Sequence, residues 1–322
     1  MTRVVVTGAA GFIGSHLVEA LARRGDEVVG IDNFDPFYPR AMKERNLAEM
    51  GGPPGFSFHE QDMLDVEAMA ALLTPETVLV HLAAKAGVRP SFADPVGYAR
   101  ANVTGTAAVV EAARRAGVSR VVLGSSSSVY GDSTPVPFRE DAVAIAPVSP
   151  YAATKRAGEL LLGSVAPIYG LRAASLRFFT VYGPRQRPDL AIHAFARRMV
   201  EGRSITLFGD GTQSRDYTFC DDIVAGAMAA VDWTSAAPVG VETFNLGGNR
   251  TVRTGEMVEE IARALDIRPT IEWAPMQPGD VQRTAADLTK SGAVLGYAPR
   301  TPFPEGIGRF ATWFREVYGR AD

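Results

Sequence analysis

Cysteine is nearly absent from this chain: Cys220 is the only one in 322 residues. That excludes an internal disulfide and any zinc site built on several thiolates. Lysine is scarce as well, with four against 29 arginines, and the acidic residues outnumber the basic ones 36 to 33 for a formal charge of −3. The totals therefore carry no basic excess of the kind that binds nucleic acid or an anionic membrane surface. No uncharged apolar run reaches the length of a membrane-spanning helix. The opening MTRVVVTGAAGFIG lacks a charged segment followed by a long apolar one, which argues against a secretory signal. The expectation is a soluble, cytoplasmic protein without a nucleic-acid or membrane partner. What is present is ordinary globular material, 46% hydrophobic and 21% charged, which excludes a disordered chain. The length allows two compact lobes or one large α/β domain. Arginine suits bidentate recognition of phosphate and carboxylate, so its placement merits attention.

The first half alternates short β-branched runs with helical patterns. Strands are expected at Arg3–Thr7, Glu27–Asp32, Phe56–Glu60, Thr77–Leu82 and Arg120–Gly124. Phe12–Arg24 reads as a helix with Ile13, Leu17, Ala20 and Leu21 on its apolar face and Gly25 as its stop. Further helices are expected at Asp65–Leu73 and Asp94–Ala116, the second opening on an acidic cap and a proline. Continuous apolar strands alternating with helices predict an α/β fold, a doubly wound parallel sheet of the Rossmann type. After about Phe178, proline and glycine punctuate shorter elements. The expected organisation is a dinucleotide domain over 1–178, with segments near 216–246 returning to it, and a smaller loop-rich lobe over 179–322.

Gly8, Gly11 and Gly14 form GxxGxxG between the first strand and the first helix. In that position the first glycine permits a tight turn, the second lets backbone approach a pyrophosphate and the third lets helix pack on strand. A glycine-rich turn without a ligand is the plainer alternative. Asp32 ends the second strand, 18 residues after Gly14, where a carboxylate accepts hydrogen bonds from an adenosine ribose and repels a 2′-phosphate. That favours NAD over NADP. Tyr151 and Lys155 make YxxxK, a spacing that puts both side chains on one helical face. A tyrosine near its ordinary pKa of about 10 is a poor base, so a fixed cation beside it is expected to lower that value; the alternative is two solvated helix residues. Ser125, Ser126, Ser127 and Ser128 close a predicted strand at its C-terminal edge, where ligands bind in this architecture. A turn with satisfied backbone bonds is the alternative for any one of them.

Taken in order, GxxGxxG, Asp32, the HLAA run His81–Ala84, Asn102, the serine run before VYG, and YxxxK resemble the extended short-chain dehydrogenase/reductases, which act largely on nucleotide sugars. The resemblance spans essentially the whole chain. Within that family, DNFDPFYPR (Asp32–Arg40), AGVRPS (Ala86–Ser91), LRFFTVYGPRQRPDL (Leu176–Leu190) and MQPGDV (Met276–Val281) are most similar to UDP-glucuronic acid 4-epimerases, among them those of antibiotic pathways such as moenomycin's. The resemblance implies Ser126 as catalytic serine, Tyr151 as base and Lys155 as its partner. It implies NAD contacts from Gly8, Gly11, Phe12, Ile13 and Gly14, from Asp32, Asn33, Asp62 and Met63, and from Leu82, Ala83, Ala84, Asn102, Tyr151 and Lys155. It implies substrate contacts from Ser126, Ser127, Ser128, Tyr151, Thr180 and Arg187, and from Arg89, Gln213, Arg215, Asp280 and Arg283 around the nucleotide diphosphate. Each of these lone charges has a surface ion pair as its alternative. No metal is implied, and a twofold homodimer paired through helices 94–116 and 151–169 is.

The family's chemistries share one step, in which Tyr151 takes the O4 proton while hydride leaves sugar C4 for NAD⁺, giving a 4-keto sugar. Dehydratases carry an Asp–Glu pair where this chain has Ser127–Ser128, and decarboxylating relatives usually have Glu at the position of Ser128. Many UDP-glucose epimerases have Asn at the position of Thr180 and lack RPD. Thr180 and Arg187 instead fit a pocket for a C6 carboxylate, which an arginine binds through two parallel hydrogen bonds; an ion pair with Asp189 is the alternative for Arg187. The expected activity is C4 epimerisation of UDP-glucuronic acid to UDP-galacturonic acid. A UDP-glucose/UDP-galactose 4-epimerase and a UDP-glucuronate decarboxylase are the rivals.

Overall fold

A computed structural model describes residues 1–142, 146–248, 250–275 and 282–319. Its first half runs β1 (Arg3–Thr7), α1 (Phe12–Arg23), β2 (Glu27–Asp32), α2 (Arg40–Glu49), β3 (Phe56–Glu60), α3 (Val66–Ala71) and β4 (Val78–His81). There follow α4 (Val88–Ala93), α5 (Pro95–Ala99), α6 (Gly105–Arg115), β5 (Arg120–Ser126), α7 (Pro150–Tyr169) and β6 (Arg172–Phe178). The second half contains β7 (Thr180–Tyr182), α8 (Ala191–Val200), β8 (Ile205–Phe208), β9 (Ser214–Phe219), α9 (Cys220–Trp233) and β10 (Gly240–Leu246). It continues through β11 (Thr251–Arg253), α10 (Thr254–Leu265), β12 (Ile271–Ala274), α11 (Thr289–Leu295) and α12 (Phe303–Tyr318).

Seven strands form one parallel sheet in the order β10-β6-β5-β4-β1-β2-β3. Val4, Val5 and Val6 in β1 and Val78, Leu79 and Val80 in β4 are fully buried, because crossover helices cover both faces of the sheet. The order reverses between β1 and β4, and the crevice at the strands' C-terminal ends is where this topology binds ligands. Of the 216–246 region, β10 joins the large sheet. β9 does not: it pairs with β7 and β11 in a separate three-stranded sheet, while β8 and β12 form a two-stranded one. Among the described residues no helix is long and apolar enough to cross a membrane.

The helix expected over Asp94–Ala116 is interrupted. Asp94 caps α5 by accepting from Gly97 N–H, as its sequence signature implies, but Arg100–Thr104 widens into a π turn before α6 resumes. Such turns recur beside functional sites, and this one carries the buried Asn102 side chain onto the backbone of Lys85. Helix α2 is absent from the sequence reading because its ten residues carry no clear apolar stripe; it is anchored through the polar side chains of Lys43 and Asn46, both buried.

Candidate active site

The β1–α1 loop, the ends of β2, β4 and β5, and the segment entering β7 enclose a cavity of about 590 Å³. Gly8 has φ +76°, and a Cβ on it would stand 2.8 Å from the Ala83 nitrogen. On Gly14 it would stand 2.0 Å from the Gly8 carbonyl oxygen, so helix and strand meet here only because no side chain intervenes. Gly11 caps α1 with no side chain to satisfy the helix's first amides, which makes this end a cradle for an anion such as a dinucleotide pyrophosphate. Phe12 and Ile13 continue the same wall.

Asp32 lies buried at the end of β2. Its Oδ1 accepts from Phe34 N–H at 2.8 Å and from the Lys43 ammonium at 3.1 Å, and both Asp32 and Lys43 line the cavity. Asn33 donates to Asp62 at 3.3 Å. Met63 packs on Gly105, where any Cβ would fall 2.5 Å from its methyl. Leu82, Ala83 and Ala84 form the opposite wall, with Ala83 N–H bonded to Thr7 Oγ1 at 3.2 Å. These groups fit a dinucleotide: small residues where its phosphates pass, and a carboxylate where its ribose ends. Asn102 does not line the cavity. It stands behind the wall, bonding both backbone groups of Lys85 at 2.8 and 2.9 Å and Thr154 Oγ1 at 3.0 Å.

Tyr151 sits in the first turn of α7, where Ser149 caps the helix and Pro150 opens it. One turn later the Lys155 ammonium donates to the Gly124 carbonyl at 2.8 Å. Ser126 ends β5 beside them; its Oγ accepts from Ser128 N–H at 3.1 Å, starting the 3₁₀ turn Ser127–Tyr130. Ser126, Ser127, Ser128, Tyr151 and Lys155 all line the cavity. Burial pushes the Tyr151 phenol above its ordinary pKa, opposed by a hydrogen bond with Ser126 and by the charge of Arg187. Burial brings Lys155 down to about 8, opposed by Glu159 and assisted by Arg187. The Lys155 ammonium is bonded to the strand carbonyl, and Arg187 is a further cation whose charge lowers the phenol's pKa.

On the opposite side Thr180 opens β7, and both it and Arg187 line the cavity. Arg187 also grips Asp189 through Nε at 3.0 Å and Nη2 at 2.9 Å. One edge of its fork is therefore committed within the protein, and Nη1 makes no hydrogen bond among the described residues. Arg215 lines the cavity too. Arg89 lies over the Phe208 ring at 4.8 Å, and Gln213 donates to Phe208 O at 3.0 Å. Arg283 pairs with Ser214 in an isolated bridge. These last three do not line the cavity, and Asp280 lies outside the described residues.

Residues 4–247 match the NAD dependent epimerase/dehydratase family. The chain belongs to that family. A UDP-glucuronate 4-epimerase of Thermodesulfobacterium geofontis is 38% identical over 315 residues, covering 97% of this chain and 96% of that one. The crystal structure of UDP-glucuronic acid 4-epimerase from Bacillus cereus, in complex with UDP-glucuronic acid and NAD, has a TM-score of 0.92 at 34% identity, over 98% of this chain and all of that one. MoeE5, in complexes with UDP-glucuronic acid or UDP-glucose and with NAD, has a TM-score of 0.86 at 37% identity, over 98% and 99%.

Sequence reasoning within this epimerase/dehydratase chain passed over Lys43, Tyr38 and Glu159. Lys43 belongs to a helix without an apolar stripe, and nothing local ties it to Asp32. Tyr38 lines the cavity, with its pKa pushed far up by burial. Glu159 had a legible signal, since it follows Lys155 by one helical turn on the same face.

Proposed function

We propose that this protein interconverts UDP-glucuronic acid and UDP-galacturonic acid by epimerisation at C4, with NAD held in the glycine-walled cavity. The observation that carries the reading is the convergence of Ser126, Tyr151, Lys155, Thr180 and Arg187 on one cavity whose Ser127–Ser128 wall carries no acid. The relatives with UDP-glucuronic acid and NAD bound support it. Gly8, Gly11 and Gly14 would accommodate the cofactor's diphosphate, and Asp32 its adenosine ribose. Bound NAD supplies the acceptor, and then the donor, of the C4 hydride. Tyr151 takes the proton of sugar O4 and later returns it, with Ser126 hydrogen-bonded to the phenol and Lys155 completing the polar wall. The 4-keto uronate is a β-keto acid, prone to lose CO₂. Thr180 and the Nη1 end of Arg187 hold its carboxylate with the C5 bond near the ketone plane, denying that bond overlap with the carbonyl π system. The keto sugar turns within the pocket and is reduced from its other face.

The pairing of Arg187 with Asp189 favours a second reading, a UDP-glucose/UDP-galactose 4-epimerase, because part of the guanidinium is already neutralised. A UDP-glucuronate decarboxylase has less support, since Ser128 stands where an acid is needed. We further assign cofactor binding to residues 1–178 with β10, and most of the nucleotide-sugar contacts to 179–322. Exposed Val96, Leu160 and Ile168 support a homodimer packed through the helices of 94–116 and 151–169, which light scattering tests, and we assign the protein to the cytoplasm. The activity is tested by NMR of the product from UDP-glucuronate without added NAD. UDP-galacturonate is the expected product. Turnover of UDP-glucose alone overturns the uronate assignment, and a pentose product overturns epimerisation.

A further inference from the structure

Beneath the reacting groups runs a buried polar row that the proposed chemistry does not use. Ser125, Arg177 and Asn245 stand level with one another on β5, β6 and β10. Glu159 of α7 lies against them. Its Oε1 accepts from Ser125 Oγ at 2.6 Å and Arg177 Nε at 2.9 Å, and its Oε2 from Arg177 Nη2 at 2.9 Å and Arg156 Nη1 at 2.7 Å. The Arg177 guanidinium in turn lies 4.6 Å from the Tyr130 ring centroid, and Tyr130 donates to Asn245 Oδ1 at 2.7 Å. Glu159 and Arg177 are both almost fully buried. A buried ion pair contributes little net stability compared with an apolar pair of the same volume, so its place calls for another account.

That place is specific. Helix α7 grips two successive residues near the end of β5, Lys155 holding the Gly124 carbonyl and Glu159 the Ser125 hydroxyl, and its Tyr151 lines the same cavity as the next residue, Ser126. Tyr130 closes the turn that carries Ser127 and Ser128. One carboxylate is therefore joined to the Ser126 strand directly and to the Ser127–Ser128 turn through Arg177 and Tyr130.

We propose that Glu159 is a positioning residue for the active site: it fixes the end of β5 against the helix bearing Tyr151 and Lys155, standing one turn from Lys155 on the same face of α7. The charged and titratable groups around Lys155 are Tyr151 and Glu159, one turn away to either side on α7, with His81 on β4 and Arg187 beyond β7. Glu159 is the anion whose field offsets the cost of Lys155's burial, whereas Arg187 adds to that cost. The proposal rests on the roles given above to Tyr151 and Lys155.

The test is the pH dependence of kcat and KM in Glu159→Gln and Glu159→Asp, with folding checked by thermal melting. Glu159→Gln should lower kcat by about one to two powers of ten, as small misplacements of reacting groups do, with the KM for the UDP-sugar little changed. Its alkaline limb should move down by about one pH unit, the scale on which an opposite charge shifts a neighbour. Glu159→Asp keeps the charge, so its limb should stay at the wild-type pH while kcat still falls. Wild-type kcat and an unmoved limb in folded Glu159→Gln overturn the proposal, and so does an equal limb shift in both variants. If Glu159→Gln leaves Arg177 unpaired and does not fold, Ser125→Ala, which keeps the ion pair, decides. A several-fold fall in kcat there supports positioning, and wild-type kinetics overturn it. Tyr151→Phe run alongside separates the two levels: an active Tyr151→Phe defeats the underlying reading, whereas an inactive one beside a normal Glu159→Gln defeats the Glu159 proposal alone.

Discussion

Replacing Arg187 by alanine should impair the two candidate substrates for different reasons, and the difference measures the carboxylate site. The guanidinium is partly buried, with side-chain exposure of 18%, and already shares two bonds with Asp189. Its loss removes one charge-assisted contact to a uronate, roughly 1.5–3 kcal/mol, or about one to two powers of ten in kcat/KM. It also leaves Asp189 without its partner beside the sugar, a repulsion felt by the uronate and not by a neutral hexose. A second effect is common to both substrates. The charge of Arg187 helps hold the Tyr151 phenol down, so its removal raises the phenol's pKa further and slows proton transfer from either sugar. The assay is kcat/KM on UDP-glucuronate and UDP-glucose in parallel, with NMR of the products. The fall on UDP-glucose reports Tyr151; the excess fall on UDP-glucuronate reports the carboxylate contact. Decarboxylated 4-keto pentose should rise as a share of product, because the carboxylate is freer to turn out of the ketone plane. Equal losses on both sugars with no added pentose would refute the carboxylate role and return Arg187 to a partner of Asp189.

Tyr151→Phe should fold normally and lose epimerisation by orders of magnitude, with Ser126→Ala costing less because Ser128 lies one hydrogen bond away; near-normal turnover in Tyr151→Phe removes it as the base. The purified protein should release NAD on denaturation, and Asp32→Ser should raise the share of NADP, since it unpairs Lys43 beside the ribose position; chromatography of the released nucleotide decides, and NADP predominating in the wild type defeats the Asp32 argument. Burial brings Lys155 down to about 8, so activity that needs its ammonium should decline as pH rises through that value, whereas a flat profile to pH 10 (roughly the ordinary lysine range) would show the charge to be dispensable. Burial lowers His81 to about 3 and His193 to about 4; the unfolded chain then binds more protons below the ordinary histidine value, so stability should rise with pH from about 4 to 6.5. Asp216, raised to about 6, acts in the opposite sense over part of that window, but one carboxyl stands against three histidines, since burial lowers His16 as well, and a melting temperature falling over this range would contradict the assignment.

The linear chain determined by itself whatever depends on neighbours a few residues apart. The strand–glycine–helix signature, Asp32 ending β2, the Asp94–Pro95 cap and the one-face spacing of Tyr151, Lys155 and Glu159 are all short-range patterns, fixed by backbone period and steric size. The parallel sheet followed as well, since continuous apolar strands between helices can be buried on both faces only in that way. Tertiary structure alone decided which distant groups share a low-dielectric space. Lys43 meets Asp32 through a helix with no apolar stripe, and Arg177 meets Glu159 and Tyr130 because β5 and β6 lie in register. The same holds for the π turn at Arg100–Thr104, where Asn102 bonds the Lys85 backbone instead of continuing a regular helix, and for β9, which leaves the main sheet for β7 and β11. Most telling is the phenol. Sequence spacing makes Lys155 its neighbour, and folding brings the charge of Arg187, 36 positions away in the chain, to bear on it as well. Electrostatic influence follows distance and burial in space, and neither is written in the order of residues.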